Sequence, residues 1–188
     1  MADVLELFRR SLDAFDARVD AVPDDRWDAP TPCTEWNVRD LVNHVAVEDL
    51  WVPEMLMGRT IGDVGGALEG DQLGEDPAAG WKRAHSRALE AAGREGALER
   101  TVHVSYGDLP GAVYLSHVGS DHVVHAWDLA RAVGADEQLD DDLIDFVYEA
   151  QIPMVESARQ AGVFGPELPV PDDADRQTKM LALLGRRA

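Results

Sequence analysis

Asp121 and His125 stand four residues apart in the run DHVVHAWD, residues 121–128. On an α-helix that spacing projects both side chains from one face. Val118, His122, Leu129 and Ala132 fall on or near that face, so it turns towards a core. A carboxylate and an imidazole in such a place are unfavourable unless paired or metal-bound. His44 sits among Leu41, Val45 and Glu48, again at helical spacing on a mostly apolar face. Two imidazoles and one carboxylate make an N,N,O donor set that suits Zn²⁺ first, then Ni²⁺, Fe²⁺ or Mn²⁺. Three protein donors leave positions for water or substrate, the pattern of a catalytic rather than a closed structural site. Spacing alone allows a plainer alternative: an Asp–His ion pair on one helix, with His44 as a satisfied core histidine.

The neighbouring residues carry open alternatives. Asp128, one turn after His125, is placed to accept a hydrogen bond from that imidazole and raise its basicity. It can equally activate a thiol as a base, pair with Arg39, or form a surface salt bridge. Arg39, about one turn before His44, can bind the carboxylate of a thiol cofactor or substrate. The preferred reading is a structural pairing with Glu35, Asp40 or Asp128. His122 ranks behind Asp121 as a ligand, because each residue turns the helix by roughly a hundred degrees, and is expected in packing or solvent. Cys33 precedes a helix N-terminus, where a thiolate is favoured, but packing is its expected role. His85, His103 and His117 show no partner spacing. Trp36, Trp51 and Trp127 are expected as core or pocket walls. Gly65-Gly66 has no phosphate-loop context.

These residues need rigid elements to position them. A first helix is predicted over Ala2 to Val22 from the spacing of Val4, Leu5, Phe8, Leu12, Phe15 and Val19, with Pro23 as its stop. A second starts after Thr34 as N-cap and runs to Met57, with Pro53 near its end. Gly58 to Gly74 is rich in glycine and acid. It is predicted to be a mobile connection able to close over a site. A third helix follows Asp76-Pro77 and reaches Ala92. Residues 99–106 alternate weakly, as a strand or extended link, and 107–111 are predicted to turn. A fourth helix covers Gly111 to Val133 and stops at Gly134. A fifth runs from Asp140–Asp142 to Ala161, followed by a Pro-rich stretch and a short helix over Arg176 to Leu184. The expected fold is all-α: one domain over residues 1–188, a four-helix bundle with an extra helix and a Pro-rich C-terminal tail.

The formal net charge of −19 repels nucleic-acid phosphates and anionic membranes alike. One cysteine permits no intramolecular disulfide, and no leader-like N-terminus or membrane-length apolar run is visible, so a cytoplasmic location is expected.

Three runs, TPCTEWNVRDLVNHV (31–45), HVVHAWDLARAVG (122–134) and FGPELPVPDDADRQTKMLALLGR (164–186), together resemble the DinB-like metal-binding proteins of actinobacteria. These are similar to the N-terminal domain of mycothiol-dependent maleylpyruvate isomerase. The resemblance covers nearly the whole chain. It implies a four-helix bundle with a divalent-metal site whose ligands fall on His44, Asp121 and His125. It also implies a thiol cofactor such as mycothiol and a small electrophilic substrate. The activity expected from it is a thiol transferase or isomerase, with Asp128 and Arg39 as the catalytic or orienting groups and Arg39 as the cofactor-binding one. The alternative is a non-catalytic, stress-associated metal-binding protein, expected as a homodimer. Two departures stand out. The isomerases carry Glu where this chain has the shorter Asp121, so an ion must sit nearer the helix or bind through water. They also have a C-terminal domain that helps bind substrate, for which this chain is too short.

Overall fold

The computed structural model describes residues 3–188. Helix α1 (Val4–Val19) begins where Asp3 caps the N–H of Leu5, and buries Leu7, Phe8, Leu12, Phe15 and Val19. Its predicted first residue, Ala2, lies outside the described residues. Its predicted end at Val22 is too late, since Ala21 and Val22 make only tight turn bonds to Arg18 and Val19.

Helix α2 (Val38–Leu56) starts three residues later than its sequence indicates. Thr31 staples the preceding loop, its hydroxyl donating to the carbonyl of Trp36 at 2.8 Å. That leaves Asn37 extended, and Asn37 with Asp40 forms the capping box. Thr34 is therefore not the cap. Pro53 sits inside the last turns without ending the helix.

The segment Gly58–Gly74 is ordered. It holds a short helix α3 (Ile61–Val64), also closed by a capping box, and a 3₁₀ turn over Gly65–Leu68. Asn43 grips its far end, donating to the carbonyl of Gly70 and accepting from the N–H of Gln72. Helix α4 (Pro77–Ala92) follows, with Asp76 as cap and Pro in the first turn. Strands β1 (Thr101–Val104) and β2 (Gly107–Pro110) form an antiparallel hairpin, so the predicted turn at 107–111 is mostly the second strand.

Helix α5 (Gly111–Val133) has the predicted bounds and ends on left-handed Gly134. Gly119 lets the next helix approach, since a Cβ there would stand 2.7 Å from the ring of Phe146. That helix, α6 (Asp141–Gln151), does not continue to Ala161. Pro153 lacks an N–H and disfavours helical backbone before it. The chain turns through a 3₁₀ segment, Ile152–Met154, and resumes as α7 (Val155–Gln160). After the Pro-rich stretch, α8 (Arg176–Leu183) is capped by Asp175.

The fold is all-α apart from the hairpin. Helices α1, α2, α4 and α5 surround the larger core, centred on Phe8, Leu12, Phe15, Leu41, Val45, Trp81 and Leu115. A second cluster joins the outer side of α5 to α6 and α8 through Val123, Trp127, Phe146, Met180 and Leu181. Among the described residues no helix is long and apolar enough to cross a membrane. The consequence for the site is that α2 and α5 run side by side deep in the molecule, with their polar residues facing each other.

Candidate metal centre

His44 from α2 meets Asp121 and His125 from α5. Oδ2 of Asp121 lies 3.2 Å from Nε2 of His44 and 3.3 Å from Nε2 of His125. The two imidazoles meet edge to face, with ring centroids 5.2 Å apart. The three donor atoms all lie within 4.8 Å of one another. Donors bound at ~2.0–2.2 Å to a tetrahedral ion stand roughly 3.3–3.5 Å apart. The carboxylate-to-imidazole spacings therefore fit an ion already, and a small approach of the two rings would complete the set. Asp121, though short, reaches both histidines from the helix it shares with one of them.

His125 is held from behind. Its Nδ1 lies 2.9 Å from Oδ2 of Asp128, a carboxylate with no solvent exposure. Arg186 fastens Asp128 in turn, donating from Nη2 at 2.9 Å and from Nε at 3.2 Å. Cys33 donates from Sγ to the same carboxylate at 3.4 Å. Cys33, His125 and Asp128 thus also bring ligand atoms together, but the Nδ1 that His125 presents there is engaged by Asp128. Trp36 packs on the ring of His44, centroids 4.6 Å apart, and reaches His125 at 5.9 Å.

The electrostatics follow from this packing. Burial works against charge on His125, but Asp121, Asp128 and Cys33 outweigh it and hold its pKa well above the usual value. Burial likewise opposes ionised Asp121, and the two histidines outweigh it, so Asp121 stays well below the usual carboxylate range. Asp128 is lowered too, its hydrogen bond from His125 and the charge of Arg186 overcoming burial. Without an ion, His125 bridges two carboxylates, a place that favours its protonated form.

Arg39 does not reach Asp128. It donates to Oδ2 of Asp71 at 2.8 Å and to the carbonyl of Gly74 at 2.6 Å. It ties the Gly-rich segment to α2, which removes the freedom expected of a closing loop. Asp128 takes Arg186 instead, a partner 58 residues along the chain that no local spacing reveals. His122 is in neither solvent nor plain packing. It is fully buried, with Nε2 3.0 Å from Oδ1 of Asp49 and Nδ1 3.1 Å from Oγ of Ser11.

Two residues belong to the site beyond those singled out from sequence. Glu48, one turn after His44, places Oε1 3.9 Å from Nε2 of His44. Its Oε2 is buried with no hydrogen-bond partner. Loss of water and the nearby charge of Asp121 push its pKa well above the usual value. The four-residue spacing from His44 was the available signal. His117, one turn before Asp121 on the same face, has its Nδ1 3.0 Å from the hydroxyl of Tyr106. Both Glu48 and His117, with Asp121, line a cavity of about 840 Å³ between α2, α5, the hairpin and the α6–α7 break. Trp51 forms part of its wall, Trp127 is in the core, and His85 and His103 lie apart from both, beside Asp16 and Asp108.

Residues 8–130 match the model of the mycothiol maleylpyruvate isomerase N-terminal domain. An uncharacterised protein of Mycobacterium tuberculosis, found in two strains, is 30% identical over 186 residues, covering 98% of each chain. The fold is similar to crystal structures of mycothiol-dependent maleylpyruvate isomerase and of a histidine-to-alanine mutant of it. Their TM-scores are 0.63 and 0.64 at 15% identity, over 90% of this chain and 75% of theirs. Family match, full-length relative and fold agree: the chain belongs to the mycothiol maleylpyruvate isomerase N-terminal domain family.

Proposed function

We propose that this protein is a metal- and thiol-dependent transferase or isomerase acting on a small electrophile, with mycothiol as the thiol. The observation that carries it is the convergence of His44, Asp121 and His125, of which Asp121 lines the wall of a large cavity. The mycothiol dependence of its structural neighbours supports the choice of thiol. Bound together, a divalent ion lowers the pKa of a thiol and mycothiol supplies that thiol as the nucleophile.

The chain's own residues prepare this. His44 and His125 offer Nε2 to the ion, and Asp121 offers Oδ2. Asp128 accepts from Nδ1–H of His125, which fixes the tautomer that leaves Nε2 free. Arg186 keeps Asp128 in place and balances its charge. Trp36 walls the two rings from one side. Glu48, its pKa pushed up by burial and by Asp121, stands beside the ligands as a carboxyl suited to exchanging a proton. Arg39 has its fork filled by Asp71 and Gly74, so it acts here by holding the loop rather than by capturing a cofactor.

The test is turnover. Protein purified without a His tag and loaded with zinc, nickel, iron or manganese is incubated with mycothiol and a thiol-reactive electrophile. Conjugation or isomerisation that needs both metal and thiol, and is lost in His44→Ala, is the expected result. Absence of any metal-dependent reaction across several thiols sinks the proposal.

A further inference from the structure

We infer that the metal-free cavity beside this centre takes an uncharged, largely apolar ligand and rejects dicarboxylates such as maleylpyruvate. Calling that ligand an electrophile rests on the proposed function. Its charge and polarity rest on the cavity wall alone.

At about 840 Å³ the cavity is of a size that encloses small organic ligands. Trp51, Met55, Val118 and Phe164 give it apolar walls from two helices and the tail. Its lining continues outwards onto Ile61, Tyr106 and Val163, large apolar residues that are 45%, 57% and 67% exposed. Exposed apolar side chains around an apolar hollow mark a binding site for apolar surface.

The charges exclude anions. Among the described residues no lysine or arginine lines the cavity, whereas the carboxylate of Asp121 does. Recognition of two carboxylates calls for guanidinium or ammonium donors, and an unpaired buried carboxylate is strongly disfavoured. His117, the one lining side chain able to become cationic near neutral pH, has its pKa lowered by burial and its Nδ1 engaged by Tyr106. A divalent ion held by His44, Asp121 and His125 would keep a net positive charge, so the exclusion of anions belongs to the metal-free cavity. The whole chain, at −19, adds long-range repulsion. A neutral ligand with one carbonyl meets none of these penalties.

The experiment measures binding, with no thiol present. Three probes are 4-phenylbutan-2-one, 4-phenylbutanoate of similar size, and the dicarboxylate maleate. Each is titrated by calorimetry into metal-free protein. The ketone is expected to bind at least ~10-fold more tightly than either anion. Met154→Arg, which places a cation at the wall, is expected to narrow or reverse that ratio, with its melting temperature checked for an intact fold. Either anion matching the ketone overturns the inference, as does failure of the ketone to bind. Ketone binding without thiol-dependent turnover of its unsaturated counterpart, benzylideneacetone, supports the cavity assignment while removing the thiol chemistry.

Discussion

Helices α2 and α5 carry two imidazole–carboxylate clusters a few residues apart, and they are opposites. One joins His44, Asp121 and His125, with Glu48 beside it, at a cavity wall. The other joins Ser11, His122 and Asp49, all with no solvent exposure. By residue type the sealed cluster has the more catalytic make-up, since a serine, a histidine and an aspartate stand in hydrogen-bonded sequence. Yet Oγ of Ser11 already donates to the carbonyl of Phe8, and the cluster is sealed from the cavity, whereas Asp121 of the open cluster lines it. Each cluster leaves one carboxylate oxygen without a partner, Oδ2 of Asp49 and Oε2 of Glu48, but in the open one three ligand atoms converge. What separates a site from a structural knot is access and converging lone pairs, not the list of side chains.

That contrast is open to attack, beginning where the effect is largest. His122→Ala leaves the carboxylate of Asp49 alone in the core, and breaking such a buried pair removes about 3–5 kcal/mol of stability. Chemical denaturation should show that loss, while metal affinity of the folded fraction stays within a few-fold of wild type. A large change in metal affinity would erase the distinction between the clusters. Asp128→Asn should act on the metal as well as on the fold: beside the stability lost by leaving Arg186 without its carboxylate, metal affinity, measured by competition with a chelator, falls ~10–100-fold through loss of the acceptor behind His125.

Glu48→Gln sharpens the picture of the open cluster. A carboxyl whose folded pKa is raised weakens the fold above its unfolded pKa, and that penalty vanishes in acid. The metal-free variant should therefore be more stable than wild type at pH 7 by about 1 kcal/mol, a rise of roughly 2–4 °C in Tm. The two proteins should converge near pH 4, and equal melting curves at neutral pH would show that Glu48 is comfortable as it stands. Arg39→Gln has the smallest expected effect. Its pair with Asp71 is partly exposed, so stability should drop by less than about 1 kcal/mol, with unchanged metal affinity. A marked loss of mycothiol binding in that variant would restore Arg39 as a cofactor-binding residue.

Much of this was legible because it is local. The 3.6-residue period of α5 and its stop at Gly134 mark its bounds. The same period puts Asp121 and His125 on one face, and His44 on an apolar face of α2. Two misses were also local. Pro153 announces the break after α6, and Asn37 with Asp40 spells a better capping box than Thr34. Other features lay beyond local reading. Arg186 reaches Asp128 from the far end of the chain, and His122 finds Asp49 across 73 residues.

The amino-acid sequence by itself determined where the long helices run and which of their faces are apolar, since periodicity, caps and glycine stops act within a few residues. It also placed two candidate ligands in register on α5, because helical geometry needs no partner to do so. Only the tertiary structure decided that His44 comes within 3.2 Å of Asp121, that His122 is sealed away from them, and that the cavity beside them is lined, among the described residues, by no lysine or arginine. Those outcomes depend on how α2 packs against α5 and where the broken α6–α7 segment lies. Packing of that kind is set by the summed burial of many side chains, which no single spacing encodes.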